Sequence, residues 1–311
     1  MRFGSLLLLP NDENDRVCCT LKHVSLINPP EYVALSYCWG DPSITKEISV
    51  NGVTVQVTSN LESALRHIFC HYKCLWVDAI CINQQDKVER SQQLLWMGSI
   101  YRRAEKVAAW IGQEAGDSNL AVDFIQNFHS RSMAPGFELQ VEANLPPATY
   151  SALMWLLDQP YRRRVWVIQE IALSRATMVH CGHLYFPWRS LASTVDTICK
   201  SHTLGSSPPG KESDPTKTLA MTPSVLNIWN LGQFNMDAFE SKPVRFFEAL
   251  QRSLDALSTE PRDKVFALLG LVYDSTMVSW RSSLHVIIMP MISPDPSNAN
   301  FVEQLLTISS T

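Results

Sequence analysis

The chain has 311 residues, enough for one large domain or two modest ones and for an apolar core that needs no staples. Hydrophobic residues make up 46% and charged residues 18%, which excludes a disordered or fibrous chain, and the net charge of −4 argues against a general nucleic-acid binder. No stretch approaches the roughly 20 apolar residues of a membrane helix, and the eight cysteines, several of them inside apolar runs, suit a reducing, cytoplasmic or nuclear setting better than a disulfide framework.

The run Leu6 to Leu9, stopped by Pro10, predicts a first strand and is too short for a signal-peptide core. Residues 33–38 predict a buried strand that ends at the turn cluster Trp39-Gly40-Asp41-Pro42. Ile48 to Val55 alternates around Asn51-Gly52, a pair that tolerates the positive φ of a type I′ hairpin turn. A helix follows, with Ser59 and Glu62 fitting a capping box, Asn60 as the other cap, and an apolar stripe of Leu61, Ala64, Leu65, Ile68 and Phe69. Leu75 to Ile82 is nearly continuously apolar and predicts a strand buried on both faces, Asp78 being its exception. A helix over 86–104 and a strand over 107–111, closed by Gly112, complete an alternation that predicts βαβ units and a largely parallel sheet.

Further along, a helix is expected near 117–130, a polar loop with Pro135, Pro146 and Pro147, and a helix near 149–158. The run Arg162 to Leu173 is ambiguous by period, and its lack of turn residues favours a helix over at least 165–173. Thr177 to Cys181 reads as a strand, and Trp188, Leu191, Val195 and Ile198 as one helix face. Residues 201–223, rich in Pro, Ser and Gly, predict a linker. Residues 224–272 read as helical, with Phe246, Phe247, Leu250, Leu254 and Leu257 as one stripe, and the tail from about 290 is weakly specified. The expected layout is a main domain over 1–200, the linker, and a helical extension over 224–311.

The chemistry-bearing residues are few. The chain has no G-x-G-x-x-G, no P-loop and no G-x-S-x-G elbow. His67, Cys70, His71 and Cys74 are metal-type residues on one predicted helix, where four ligands rarely converge into a tetrahedron, so a solvated face is the preferred reading and no metal is expected. His180, Cys181 and His183 flank a strand end and read as ordinary packing. Asp78 in apolar company must find a partner or stand at the strand's open end, because burying a lone charge is costly. Glu89 and Arg90 open a helix and fit capping or pairing. Glu170, among Trp166, Ile168, Ile171 and Leu173, fits either a raised pKa with an acid–base or orienting role or an ion pair with Arg163 or Arg164. Tyr37, Trp39, Trp76 and Trp166 fit core positions or a stacking surface for a planar ring.

Three blocks together resemble the fungal heterokaryon-incompatibility (HET) domain. They are Tyr32-Val-Ala-Leu-Ser-Tyr-Cys-Trp-Gly-Asp41; Leu75-Trp-Val-Asp-Ala-Ile-Cys-Ile-Asn-Gln84 with Glu89-Arg90, Gln93, Met97, Ile100-Tyr101 and Ala104; and Arg164-Val-Trp-Val-Ile-Gln-Glu-Ile-Ala172 with Cys181-Gly182. They stand in the family's order over about 32–182, and Arg262 to Gly270 is similar to a segment that follows the domain in many members. The resemblance implies a fungal self/non-self recognition protein that triggers programmed cell death. HET domains in turn look distantly like TIR domains, which implies a TIR/flavodoxin-like α/β fold with a β-hairpin insertion and a C-terminal helical extension. Some TIR domains cleave NAD, and Trp166-x-x-x-Glu170 is similar to the spacing around their catalytic glutamate. Under that reading Glu170 is the catalytic residue, Ser36, Tyr37, Trp39, Asp41, Asp78, Asn83 and Trp166 line the substrate site, and NAD is a substrate, with no cofactor required. The other reading is a non-catalytic module that self-associates or recruits an incompatibility partner protein; neither involves nucleic acid or a membrane span. A third is a shortened or inactive member, since 311 residues leave no room for the nucleotide-binding or repeat modules of longer relatives and the stretch from Asp274 departs from the expected pattern.

Overall fold

A computed structural model describes residues 2–132, 146–204 and 222–272, Pro243 and Thr259 excepted. The expected Pro135 loop, most of the 201–223 linker and the tail from Asp274 lie outside these residues.

Nine strands form one sheet: β1 (Arg2–Leu9), β2 (Cys18–Ser25), β3 (Val33–Tyr37), β4 (Thr45–Val50), β5 (Val53–Thr58), β6 (Cys74–Trp76), β7 (Lys106–Gly112), β8 (Thr177–Cys181) and β9 (Leu184–Pro187). Their spatial order is β5-β4-β2-β1-β6-β3-β7-β8-β9. The centre, β6-β3-β7-β8, is parallel, as is the β2–β4 pairing, while β1–β2, β1–β6, β4–β5 and β8–β9 are antiparallel, so the sheet is a mixed one built around a parallel centre. Counted in chain order, the four central strands lie 2-1-3-4. The chain leaves β3 toward β6 and leaves β7 toward β8, and such a reversal opens a crevice beyond the carboxyl ends of the two neighbours. β3 is buried at all five positions, as befits a strand covered on both faces, and this includes the polar Ser36.

The Asn51-Gly52 turn forms as expected, with φ of 53° and 78°. The helix after it, α1 (Ser59–Ile68), is capped one residue earlier than the sequence suggests: Thr58, at the end of β5, accepts from Leu61 N. The alternative cap Asn60 and the capping-box glutamate are engaged elsewhere. Asn60 donates to Cys38 O (2.6 Å) and accepts from Trp110 Nε1 (2.9 Å), and buried Glu62 pairs with Lys46 and Arg66. Because α1 ends at Ile68 and Cys74 belongs to β6, the His67–Cys74 residues do not share a helix face, and no metal-binding group of three or more such side chains occurs among the described residues.

A second correction concerns Leu75 to Ile82. The strand stops at Trp76 and a short helix, α2 (Asp78–Cys81), begins at once. An apolar run alone does not distinguish the two states, and Asp78 takes the first helical position, where a carboxylate suits the helix dipole. Gly4 of β1 lets α2 lie close, since a Cβ there would stand 2.7 Å from Cys81 Cα. Next come α3 (Lys87–Arg103), α4 (Ser118–Ser132), α5 (Pro147–Leu157), a 3-10 turn over Pro160–Arg163, α6 (Val165–Ala172) and α7 (Trp188–Leu204). The strands β2 and β9 were not expected from the sequence.

The last three described helices, α8 (Pro223–Phe239), α9 (Phe246–Arg252) and α10 (Asp263–Leu269), join the apolar cluster formed by α4 to α7 and β7 to β9. A second cluster gathers β1 to β7 with α1 and α3, and half-buried Trp166 borders both. The expected stripe on the extension is incomplete: α9 ends at Arg252, which leaves Leu254 and Leu257 exposed. No described helix is long and apolar enough to cross a membrane.

Candidate functional site

The carboxyl end of β3 meets α6 at the sheet's reversal point. α6 presents Glu170 to β3, where Ser36 Oγ donates to Glu170 Oε2. The same hydroxyl lies 2.6 Å from Tyr161 OH. With its own proton committed to Glu170, Ser36 is left to accept from Tyr161, giving a chain Tyr161–Ser36–Glu170. Tyr101 on α3 reaches the same carboxyl and bonds Leu35 O (3.2 Å).

Glu170 is 3% exposed. Burial pushes its pKa up to about 7; Arg164 and the Ser36 hydrogen bond pull the other way, while the charge of Asp78 adds to the rise. Arg164, at the N-cap of α6, donates to Tyr37 O. Its burial opposes the charge, but Glu170 and Asp78 outweigh that and its pKa is raised. Burial raises Tyr37, Tyr101 and Tyr161 well above the ordinary phenol value, so all three stay neutral donors.

The outer part of the site is built on Asp78. Trp39 Nε1 donates to its Oδ2 (2.8 Å), the Tyr37 hydroxyl hydrogen-bonds it as well, and its Oδ1 accepts from Ala79 N (2.7 Å). Asp78 thus finds partners at the strand's open end rather than within a strand. On the other flank the Trp166 side chain hydrogen-bonds Asp263 of α10, whose pKa burial raises against that bond.

Of the residues singled out in the sequence, Ser36, Tyr37, Trp39 and Asp78 converge with Glu170, and Trp166 stands one turn before it on the same helix. Asp41 and Asn83 serve their own turns: Asp41 binds Ser43 N and Oγ (2.8 and 2.6 Å), and Asn83 Oδ1 accepts from Gln85 N (3.1 Å). Trp76 is fully buried core. The sequence reading missed Tyr101, Tyr161 and Asp263. Tyr101 enters the sequence reading only as a member of the second block, and the signal for its role is a hydroxyl on a residue that a core position does not need.

A family model described as "Heterokaryon incompatibility protein (HET)" matches residues 32–170. The chain is also 27% identical over 323 residues to "Heterokaryon incompatibility protein 6, OR allele" of Neurospora crassa, an alignment covering 84% of this chain and 46% of that relative. The chain therefore spans less than half the length of the curated relative it matches. No solved structure matches it.

Proposed function

Because this chain belongs, through residues 32–170, to the heterokaryon incompatibility family, we propose that it acts in fungal self/non-self recognition leading to programmed cell death, by cleaving the nicotinamide–ribose bond of NAD. The observation that carries the chemistry is Glu170: a carboxyl poised near neutrality, at the reversal point of the sheet, with an arginine and three neutral hydroxyl groups around it. The 2-1-3-4 order of the central strands supports a TIR/flavodoxin-like fold for this unit.

In the proposed reaction the C–N bond breaks with both electrons leaving on nicotinamide. The ribose is left as an oxocarbenium ion, which an ionised Glu170 stabilises. Water adds at the same carbon and gives its proton to the carboxylate. Trp39 and Trp166 offer faces for a planar ring, Asp78 holds Trp39, and Arg164 fixes the β3 terminus through Tyr37 O. Glu170 is covered in the described state, so the reaction requires a movement that opens a path for the ribose to the carboxyl.

The near-complete burial of Glu170 favours one other reading, a non-catalytic cytoplasmic module that self-associates or recruits an incompatibility partner, with Glu170 fastening α6 to β3. Expression of the wild-type chain and Glu170→Ala in a fungal host, with NAD and viability followed together, decides between them. Loss of both NAD consumption and toxicity in the variant is expected; toxicity that persists with NAD untouched would remove the enzymatic reading.

A further inference from the structure

Helix α6 has only eight residues, too few to be stable alone, and no side chain caps its N-terminus. Its unsatisfied ends are met from elsewhere. Val165 N donates to Leu257 O (2.9 Å), while Leu257 N returns a bond to Arg163 O, a two-bond clasp across the residue that carries the Arg164 guanidinium. At the other end Asn235 Nδ2 of α8 donates to Ile171 O (3.0 Å) and Ala172 O (3.3 Å). Along its side, Trp166 is held by Asp263, and buried Gln169 turns its amide so that nitrogen faces Ala267 O (2.9 Å) and oxygen faces Gly98 N (2.6 Å). Gly270 permits that fit, since a Cβ there would come within 2.9 Å of the Gln169 amide. Every one of these contacts except Gly98 comes from residues beyond 170, outside the family-matched segment.

We propose that residues 235–270 are the positioning element of the site: Asn235 and Leu257 cap the two ends of the helix that bears Glu170, and Asp263 fixes its rotation through Trp166. This rests on the reading of Glu170 as the working carboxyl and deepens it. The working unit then runs to at least Gly270, and the Arg262–Gly270 motif is part of the site's frame. An eight-residue helix with both ends bonded from outside cannot turn or slide without breaking those bonds, so Glu170 and Arg164 keep their places relative to Ser36 and Tyr37.

The test is the ionisation of Glu170, read in the full chain by carbon-13 NMR of glutamate-labelled protein, with Glu170→Gln to assign the signal and thermal melting to check folding. Asp263→Asn keeps an acceptor for the indole and should titrate as wild type. Asp263→Ala and Asn235→Ala should let water reach the carboxyl and lower its titration midpoint by about one pH unit or more. Should Asp263→Ala fail to fold, Trp166→Phe removes the donor instead of the acceptor and is expected to give the same shift. A folded Asp263→Ala or Trp166→Phe chain that titrates like wild type would overturn the proposal. If the wild-type chain consumes no NAD yet these shifts appear, the positioning role stands and the NAD chemistry falls, so the two failures separate.

Discussion

Two buried titratable side chains, Glu170 on α6 and His180 on β8, are nearly equal in exposure, at 3% and 2%, and opposite in setting. Glu170 keeps a cation and hydroxyl donors around it, and its pKa is about 7. His180 faces aromatic rings. Its Nε2 lies 3.0 Å from Tyr72 OH, its ring stacks on Tyr185 at 6.0 Å, and His71 stands 5.4 Å away. Burial first and the neighbouring His71 second depress its pKa to about 4, so it is neutral at any physiological pH. Burial alone therefore does not mark a chemical site. What distinguishes Glu170 is that its surroundings leave both protonation states within reach, while those of His180 leave one.

The comparison is broken most severely by removing the cation. Arg164→Met leaves the Glu170 carboxyl without its nearest positive charge and Tyr37 O without its donor. A loss of about 3–5 kcal/mol is expected in urea unfolding, with the Glu170 midpoint moving above its wild-type value.

A smaller effect sharpens the contrast through pH. Between about 4.5 and 7 the folded chain keeps a proton on Glu170 that the unfolded chain has released, so this residue's contribution declines as pH rises. Between about 6.5 and 4 the unfolded chain protonates His180 while the folded chain does not, so its contribution declines as pH falls. The two slopes oppose each other where they overlap. Glu170→Gln is expected to leave a stability that climbs with pH toward 6.5, and His180→Phe one that falls with pH toward 7, each by roughly 2–3 kcal/mol across its window. Melting temperatures of the two variants that run parallel between pH 4.5 and 6.5 would contradict this.

The smallest effect lies at the surface. Trp39→Phe removes the indole donor to Asp78 on a side chain that is 41% exposed and should cost about 1 kcal/mol or less in the same unfolding assay. Against that small loss, a much larger drop in NAD turnover would mark the indole as a substrate contact.

Much of this was legible in the chain itself. A mainly apolar run ended by a turn cluster located β3, an unbroken one located β7, Asn51-Gly52 located the hairpin, and a glutamate inside an otherwise apolar segment singled out Glu170. The omissions share a physical cause. Spacing does not reveal where a tyrosine hydroxyl points, so neither Tyr101 nor Tyr161 stands out as a site residue. Asp263 reaches Trp166 only because α10 folds back on α6, a juxtaposition that spacing cannot encode. β2 alternates too weakly, with one buried and three exposed residues among its eight, and β9 is four residues ending in proline. α2 was hidden because Ala79, Ile80 and Cys81 satisfy either period.

The sheet order has a consequence for where this molecule can be cut. β1 and β2 precede residue 32, yet they lie between the β4–β5 hairpin and β6. A fragment trimmed at that residue would contain the hairpin without the two ribbons that splice it to the central strands. The hairpin would rest chiefly on α1, and β6 would present a raw hydrogen-bonding edge to any neighbouring chain.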